Sequence, residues 1–252
     1  MRLLLFVSSK PQPVQAGFTL LELLVVITVL GILSTVAVMS YDGVQEQGQY
    51  DTTRFEMTEI RNALLQFRRD SGSNDFPGQG QYDCDNNPDT DTNTPNPALD
   101  FPDYVDAYSV EKDKVDWCRH PANFWMLFVD PFGRATHDQW NEDTHRGWHG
   151  PYLTRKSGLL NLSAGNPAGL PTQSGIWGIA DAYLNYTATG IAWSTLPDPE
   201  RGGRPYWFLP DTDSDSQPDE RIVSLGPDNS YAGSGTDECL PNGNNLILCL
   251  LR

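Results

Sequence analysis

From Phe18 to Met39 the chain runs for 22 residues with six departures from apolar character: Thr19, Glu22, Thr28, Gly31, Ser34 and Thr35. As a helix rising ~1.5 Å per residue, such a run crosses the ~30 Å hydrocarbon core of a bilayer. A carboxylate there costs a few kcal/mol by insertion scales, so intramembrane acids are rare and mark functional positions. Glu22 is the residue that needs a reason. Ahead of the run, residues 1–16 carry Arg2 and Lys10 and no acid, and "PVQAG" leads into Phe18. Positive charge on that side orients the N-terminus to the cytoplasm and the remainder to the far side. A plain uncleaved anchor is the simplest reading of this region.

Helical periodicity continues past the apolar run. Met57, Ile60, Leu64 and Phe67 recur at spacings of three and four, with Arg54, Glu56, Glu59, Arg61 and Arg68 between them. Ser71-Gly72 supplies a stop. The pattern predicts one helix over 18–70, on the order of 80 Å long at ~1.5 Å per residue. Its first half faces lipid or other helices, and its second half lays one stripe on a globular body. Gly43 and Gly48 are its weak points.

The body, 71–252, is polar. The stretch from Asp75 to Asp116 is rich in Asp, Asn, Pro and Thr and reads as a long irregular loop. Turn-rich segments with aromatics follow, among them "RGWHGPYL" (146–153). Later come "RPYWFL" (204–209), an aspartate-rich turn (211–219), "ERIVSLG" (220–226) and a closing "NNLILCLLR" that reads as an edge strand. The expected fold is α+β: a long N-terminal helix whose outer half packs on a small antiparallel sheet with extended loops. A net charge of −16 turns the body away from nucleic acid and anionic lipid surfaces. It suits a soluble surface, or one that collects divalent cations.

Cys84, Cys118, Cys239 and Cys249 all lie outside the apolar run and form no C-x-x-C pair. An even count suits two disulfides in an oxidising compartment, with free buried thiols as the alternative. Of the three possible connectivities, Cys84–Cys118 with Cys239–Cys249 closes loops of modest size. In "DTDSDSQPDE", Asp211, Asp213, Asp215 and Asp219 take positions 1, 3, 5 and 9 of a calcium-loop-like run, but Ser216 and Ile222 replace the EF-hand glycine and glutamate. These carboxylates repel one another unless a cation or water screens them, so the turn is a second possible metal site or a solvated loop. "DCDNNPDTDTN" (83–93) is looser and reads as disorder. His137, His145 and His149 cluster in sequence, but Gly147 and Pro151 make them loop histidines rather than a zinc pair on a helix. No nucleophile elbow, P-loop or dinucleotide fingerprint is present, and no enzymatic activity is expected.

Basic leader, Gly17, Phe18, "TLLE" and the apolar tail occur in the order of the type IV prepilin signature, which this segment resembles. The resemblance implies that residues 1–17 are a leader. A prepilin peptidase would cut between Gly17 and Phe18 and methylate the new amine of Phe18, leaving the helix attached. Met39 stands where many family members have proline. Further on, "WHGPYL" (148–153), "LPDPERGGRPY" (196–206) and "IVSLGPDN" (222–229) follow one another as similar pieces do in the major pseudopilin of type II secretion systems, the general secretion pathway protein G family. The spacing between the first two is longer here, and the acidic stretch after the helix is extra. That resemblance implies a structural calcium in the C-terminal loop, with carbonyls of Leu225 and Ser230, the carboxylate of Asp228, and Asp237 and Glu238 closing the site. Calcium suits such a set of hard oxygens.

The implied protein is a pseudopilin, anchored once in the inner membrane with its body in the periplasm. Its partners would be the peptidase, its own copies and other pseudopilins in a filament, and an inner-membrane assembly platform. A carboxylate one turn after the Phe18 amine makes Glu22 an assembly register. The alternatives are a type IV pilin or minor pilin of a surface fibre, and a membrane-tethered calcium-dependent binding module.

Overall fold

The computed structural model describes residues 18–86, 93–133, 140–154, 157–164, 171–183, 190–194, 203–210, 220–227, 238–241 and 243–251, apart from the side chains of Met39, Ser40 and Asp42. One helix, α1, spans Leu20–Asp70 and passes through Gly43 and Gly48 without a break. The chain forms two compact units, one up to Gln47 and one from Gly48 onward. The outer part of α1 therefore belongs to the body, whose boundary lies upstream of residue 71.

Within that body α1 buries a single stripe. Met57, Ile60, Leu64 and Phe67 are at most 2 % exposed, and Ala63 joins them. Spacings of three and four put these side chains on one face, which is why the periodicity reads directly as burial. The helix ends where expected. Ser71 N–H donates to the Phe67 carbonyl at 2.8 Å, and Gly72 follows at φ +76°. A Cβ at Gly72 would lie 2.8 Å from Arg146 Cδ, so both the backbone turn and the close approach favour glycine.

The described residues of 75–116 are not the irregular loop their composition suggests. They hold a 3₁₀ turn at Gly80–Tyr82, then α2 (Asp103–Asp106) and the start of α3 (Glu111–Cys118). Phe76, Tyr82, Phe101, Val105, Val115 and Trp117 are buried, so scattered apolar residues anchor an acidic segment to the core. Cys84 is bonded to Cys118 with Cα atoms 5.8 Å apart, tying the beginning of this stretch to the end of α3.

Among the described residues six strands follow: β1 (Ser157–Leu162), β2 (Gln173–Ile179), β3 (Ile191–Trp193), β4 (Trp207–Leu209), β5 (Arg221–Ser224) and β6 (Leu246–Cys249). They form two antiparallel three-stranded sheets, β2-β1-β3 and β4-β5-β6, where the sequence suggested one. An isolated bridge, Ala180 to Pro205, joins the end of β2 to the approach to β4. It is flanked by Asp181 N–H to the Arg204 carbonyl at 2.7 Å and Tyr206 N–H to the Ile179 carbonyl at 2.9 Å.

The outer edge of β2 is covered by side chains. Tyr104 Oη and Trp117 Nε1 both donate to the Gly175 carbonyl, at 2.9 and 3.0 Å, and Tyr108 Oη donates to the Ser174 carbonyl at 3.1 Å. An open edge invites pairing with another chain, and these donors occupy its acceptors. On the other sheet, Arg61 of α1 donates to the carbonyls of Cys249 and Leu250 at 3.2 and 2.7 Å. Cys249 is bonded to Cys239, 10 residues before it.

Leu64 is fully enclosed in the body, so Leu64→Ala should cost about 2–5 kcal/mol of stability. Leu33, whose side chain stands exposed on α1, should tolerate alanine with no change in unfolding of the body. Urea titration of the full chain in micelles, followed by tryptophan fluorescence, checks both. A loss under about 1 kcal/mol at Leu64 contradicts the packing described.

Candidate functional site

The first four N–H groups of any helix lack partners inside the helix. In apolar surroundings each unpaired group is expensive. At the start of α1 the chain meets that requirement with Thr19 and Glu22. Glu22 Oε2 accepts from Thr19 N–H at 2.9 Å and from Thr19 Oγ1 at 2.9 Å. In return Glu22 N–H donates to Thr19 Oγ1 at 3.2 Å. Leu23 N–H donates to the Thr19 carbonyl at 3.3 Å, opening the helical ladder. This is a reciprocal capping box, with the hydroxyl at the N-cap and the carboxylate three residues on. The carboxylate also lies at the positive end of the helix dipole.

Sequence reasoning singled out Glu22 but missed Thr19. Its signal was present: Ser or Thr followed three residues later by Glu, just before an apolar run. The geometry turns the carboxylate back along the helix to the residue next to Phe18.

Beyond the cap, the span satisfies itself. Thr28 Oγ1 donates to the Val25 carbonyl, Ser34 Oγ to Leu30 and Thr35 Oγ1 to Ile32, all at 2.7–2.8 Å. Every polar side chain between Thr19 and Val38 is thus bonded within its own helix. The apolar side chains are uncovered, from Phe18 at 84 % exposed to Val38 at 63 %. α1 is long and apolar enough to cross a membrane, and this unit is a candidate single-pass anchor.

Gly17 lies outside the described residues, as do Asp228, Ser230 and Asp237 of the implied calcium loop and Asp211, Asp213, Asp215 and Asp219 of the aspartate-rich turn. Leu225 is buried directly after β5. Glu238 has a different partner from the one implied: its Oε2 accepts from Arg221 Nη1, with both side chains largely buried. That guanidinium competes for an oxygen the implied calcium would use. Among the described residues, no three His, Cys, Asp or Glu side chains stand together as a metal site. His145, in a tight turn closed by Asn141 and Arg146, and His149 beyond it both pack on Trp140, at 5.8 and 4.2 Å between ring centroids. His137 falls outside the described residues.

Residues 13–38 match the family model described as the prokaryotic N-terminal methylation motif. Two proteins of Dichelobacter nodosus, each named a probable minor fimbrial protein, are 35 % and 33 % identical to this chain over 69 residues. The matched segment is 27 % of this chain and 42 % of theirs, less than half the length of those relatives. No solved structure matches.

Thr19→Val removes the hydroxyl that both gives and takes a bond. Loss of a capping side chain costs about 1 kcal/mol at a helix start. Amide exchange of the variant in micelles should therefore be several-fold faster at Leu21, Glu22 and Leu23 and unchanged near Leu30. Equal exchange in the first turn contradicts the capping role.

Proposed function

We propose that this chain is a filament subunit of the type IV pilin kind, and that its finer role is that of a pseudopilin in a type II secretion-like system. The observation that carries the reading is the start of α1. A glutamate-capped helix, apolar and uncovered for some twenty residues, sits within a methylation motif. In this reading a prepilin peptidase cuts after Gly17 and methylates Phe18, and α1 holds the subunit in the inner membrane until assembly. The two disulfides support an oxidising compartment for the body, here the periplasm.

Cleavage places a positive amine at Phe18, one turn before the Glu22 carboxylate. Within one subunit the carboxylate serves its own helix start. In a filament, staggered helices bring Glu22 of one copy to the Phe18 amine of the next. An unpaired charge in an apolar bundle is costly, so the pair favours one stagger over the others. The role is structural rather than enzymatic, with copies of this chain, other pseudopilins and a membrane assembly platform as partners. The reading rests on the start of α1 and does not depend on calcium at the C-terminal loop.

A second reading, a minor pilin of a surface fibre, is favoured by the names of the Dichelobacter nodosus relatives. Deleting the gene separates the two: failed export of secreted proteins with normal surface fibres supports the pseudopilin, and altered surface fibres support the minor pilin. Mass spectrometry of the membrane-extracted protein tests the shared premise. An N-methylated Phe18 terminus is expected, and an intact Met1 terminus in cells that make a prepilin peptidase overturns it.

A further inference from the structure

Inside the body, the contact of α1 with the two sheets contains a polar cluster as well as the apolar stripe. Thr53 and Glu56 lie on the buried face of α1, at 0 % and 5 % exposure. Asp181, 1 % exposed, follows the bridge that joins the two sheets. Its Oδ1 accepts from Thr53 Oγ1 at 3.0 Å and from Tyr183 N–H at 3.2 Å, and its Oδ2 accepts from Ser224 Oγ. The buried Tyr206 hydroxyl donates to Glu56 Oε2 at 2.8 Å and also lies beside Asp181. Ser224 Oγ accepts in turn from Gly226 N–H at 3.2 Å.

The groups bonded to Asp181 come from four parts of the fold: Thr53 from α1, Tyr183 from the chain after β2, Tyr206 from the approach to β4, and Ser224 from β5. All four are neutral. Glu56 and Tyr206, the titratable groups in the cluster besides Asp181, are both acids. Arg204, buried two residues before Tyr206, turns a guanidinium N–H to the Gly226 carbonyl.

We propose that Asp181 is the centre of an acid-tightened clasp, in which proton uptake by this buried carboxyl strengthens the hold of the two sheets on the outer part of α1, with Glu56 and Tyr206 completing the cluster. A buried carboxylate surrounded by neutral donors bears a desolvation cost that its hydrogen bonds only partly offset. Burial pushes the Asp181 carboxyl above its ordinary value of 3.8, opposed by the bonds from Ser224, Tyr183 and Thr53. Burial, with the charges of Asp181 and Glu56, likewise pushes the Tyr206 hydroxyl up, so it stays a donor.

The direction in pH follows by linkage. Between 3.8 and the raised folded value, the folded chain binds a proton that the unfolded chain has lost. The contribution is complete below 3.8 and is given up as pH rises through the folded value. Carboxylates held by cations behave in the opposite way, which makes this cluster distinguishable from ordinary acid sensitivity.

The net charge of −16 also eases as pH falls, so the test needs a control carboxylate at the surface. The full chain in micelles is melted from pH 4.5 to 8 under tryptophan fluorescence, as wild type, Asp181→Asn and Asp103→Asn, the last an exposed position. Asp181→Asn should gain on wild type steadily as pH rises, whereas Asp103→Asn should run parallel to wild type. Parallel curves for Asp181→Asn, or a wild type that gains on it with rising pH, overturn the clasp. If Asp181→Asn does not fold, Thr53→Val decides. Removing a donor from the ionised carboxylate should make the midpoint fall more steeply with pH, and an unchanged slope overturns the proposal.

Discussion

The exchange of hydrogen bonds between Thr19 and Glu22 satisfies the first turn of a helix that is long and apolar enough to cross a membrane. An apolar side chain tolerates lipid, but an unpaired N–H does not, and the backbone ladder that hides the remaining amides of α1 has to be opened by some polar group. The same economy continues along the span, where Thr28, Ser34 and Thr35 return their hydroxyls to carbonyls three or four residues back. A carboxylate that looks misplaced in an apolar sequence is therefore the residue that completes the helix. In the proposed filament its charge also becomes the means of selecting one stagger.

The body solves a different problem, holding a highly acidic and turn-rich chain together. Part of the answer is the stripe on α1, with aromatic packing beyond it, such as Trp117 against Trp125 at 5.5 Å between ring centroids. Covalent ties are another part. Cys84–Cys118 closes a loop with a sequence separation of 34, and a disulfide of that kind contributes roughly 3–4 kcal/mol by restricting the unfolded chain. Polar fasteners complete it: Arg61 on the carbonyls of the last strand, the side chains along the edge of β2, and the cluster around Asp181. α1 supplies the donor in two of these three, so the body's hold on its helix is only partly hydrophobic.

The elements legible from sequence were those whose signal is local and periodic. Met57, Ile60, Leu64 and Phe67 announce a helix face, and the segments around β4, β5 and β6 announce strands through short apolar runs bounded by turns. Sheet β2-β1-β3 was not legible, because Gly158, Gly175 and Gly178 dilute its strands and mimic loop composition. Gly178 is needed for packing: a Cβ there would come within 2.8 Å of the Trp193 ring. α2 and α3 were hidden by their charge, since Asp103, Asp106, Glu111 and Asp113 leave few apolar positions to count. The cluster around Asp181 could not be read at all. Thr53, Asp181 and Ser224 are 128 and 43 residues apart, and only the folded chain makes them neighbours.

In the proposed filament, Glu22 serves assembly in addition to capping its own helix. This role is tested most directly by competition between subunits. Wild-type and Glu22→Ala chains, each with a distinct tag on the body, are produced together, and their ratio is measured in the membrane and in the isolated filaments. Equal insertion and equal processing at Phe18 are expected, with the alanine chain strongly depleted from the filament. The same ratio in filament and membrane would contradict the assembly role.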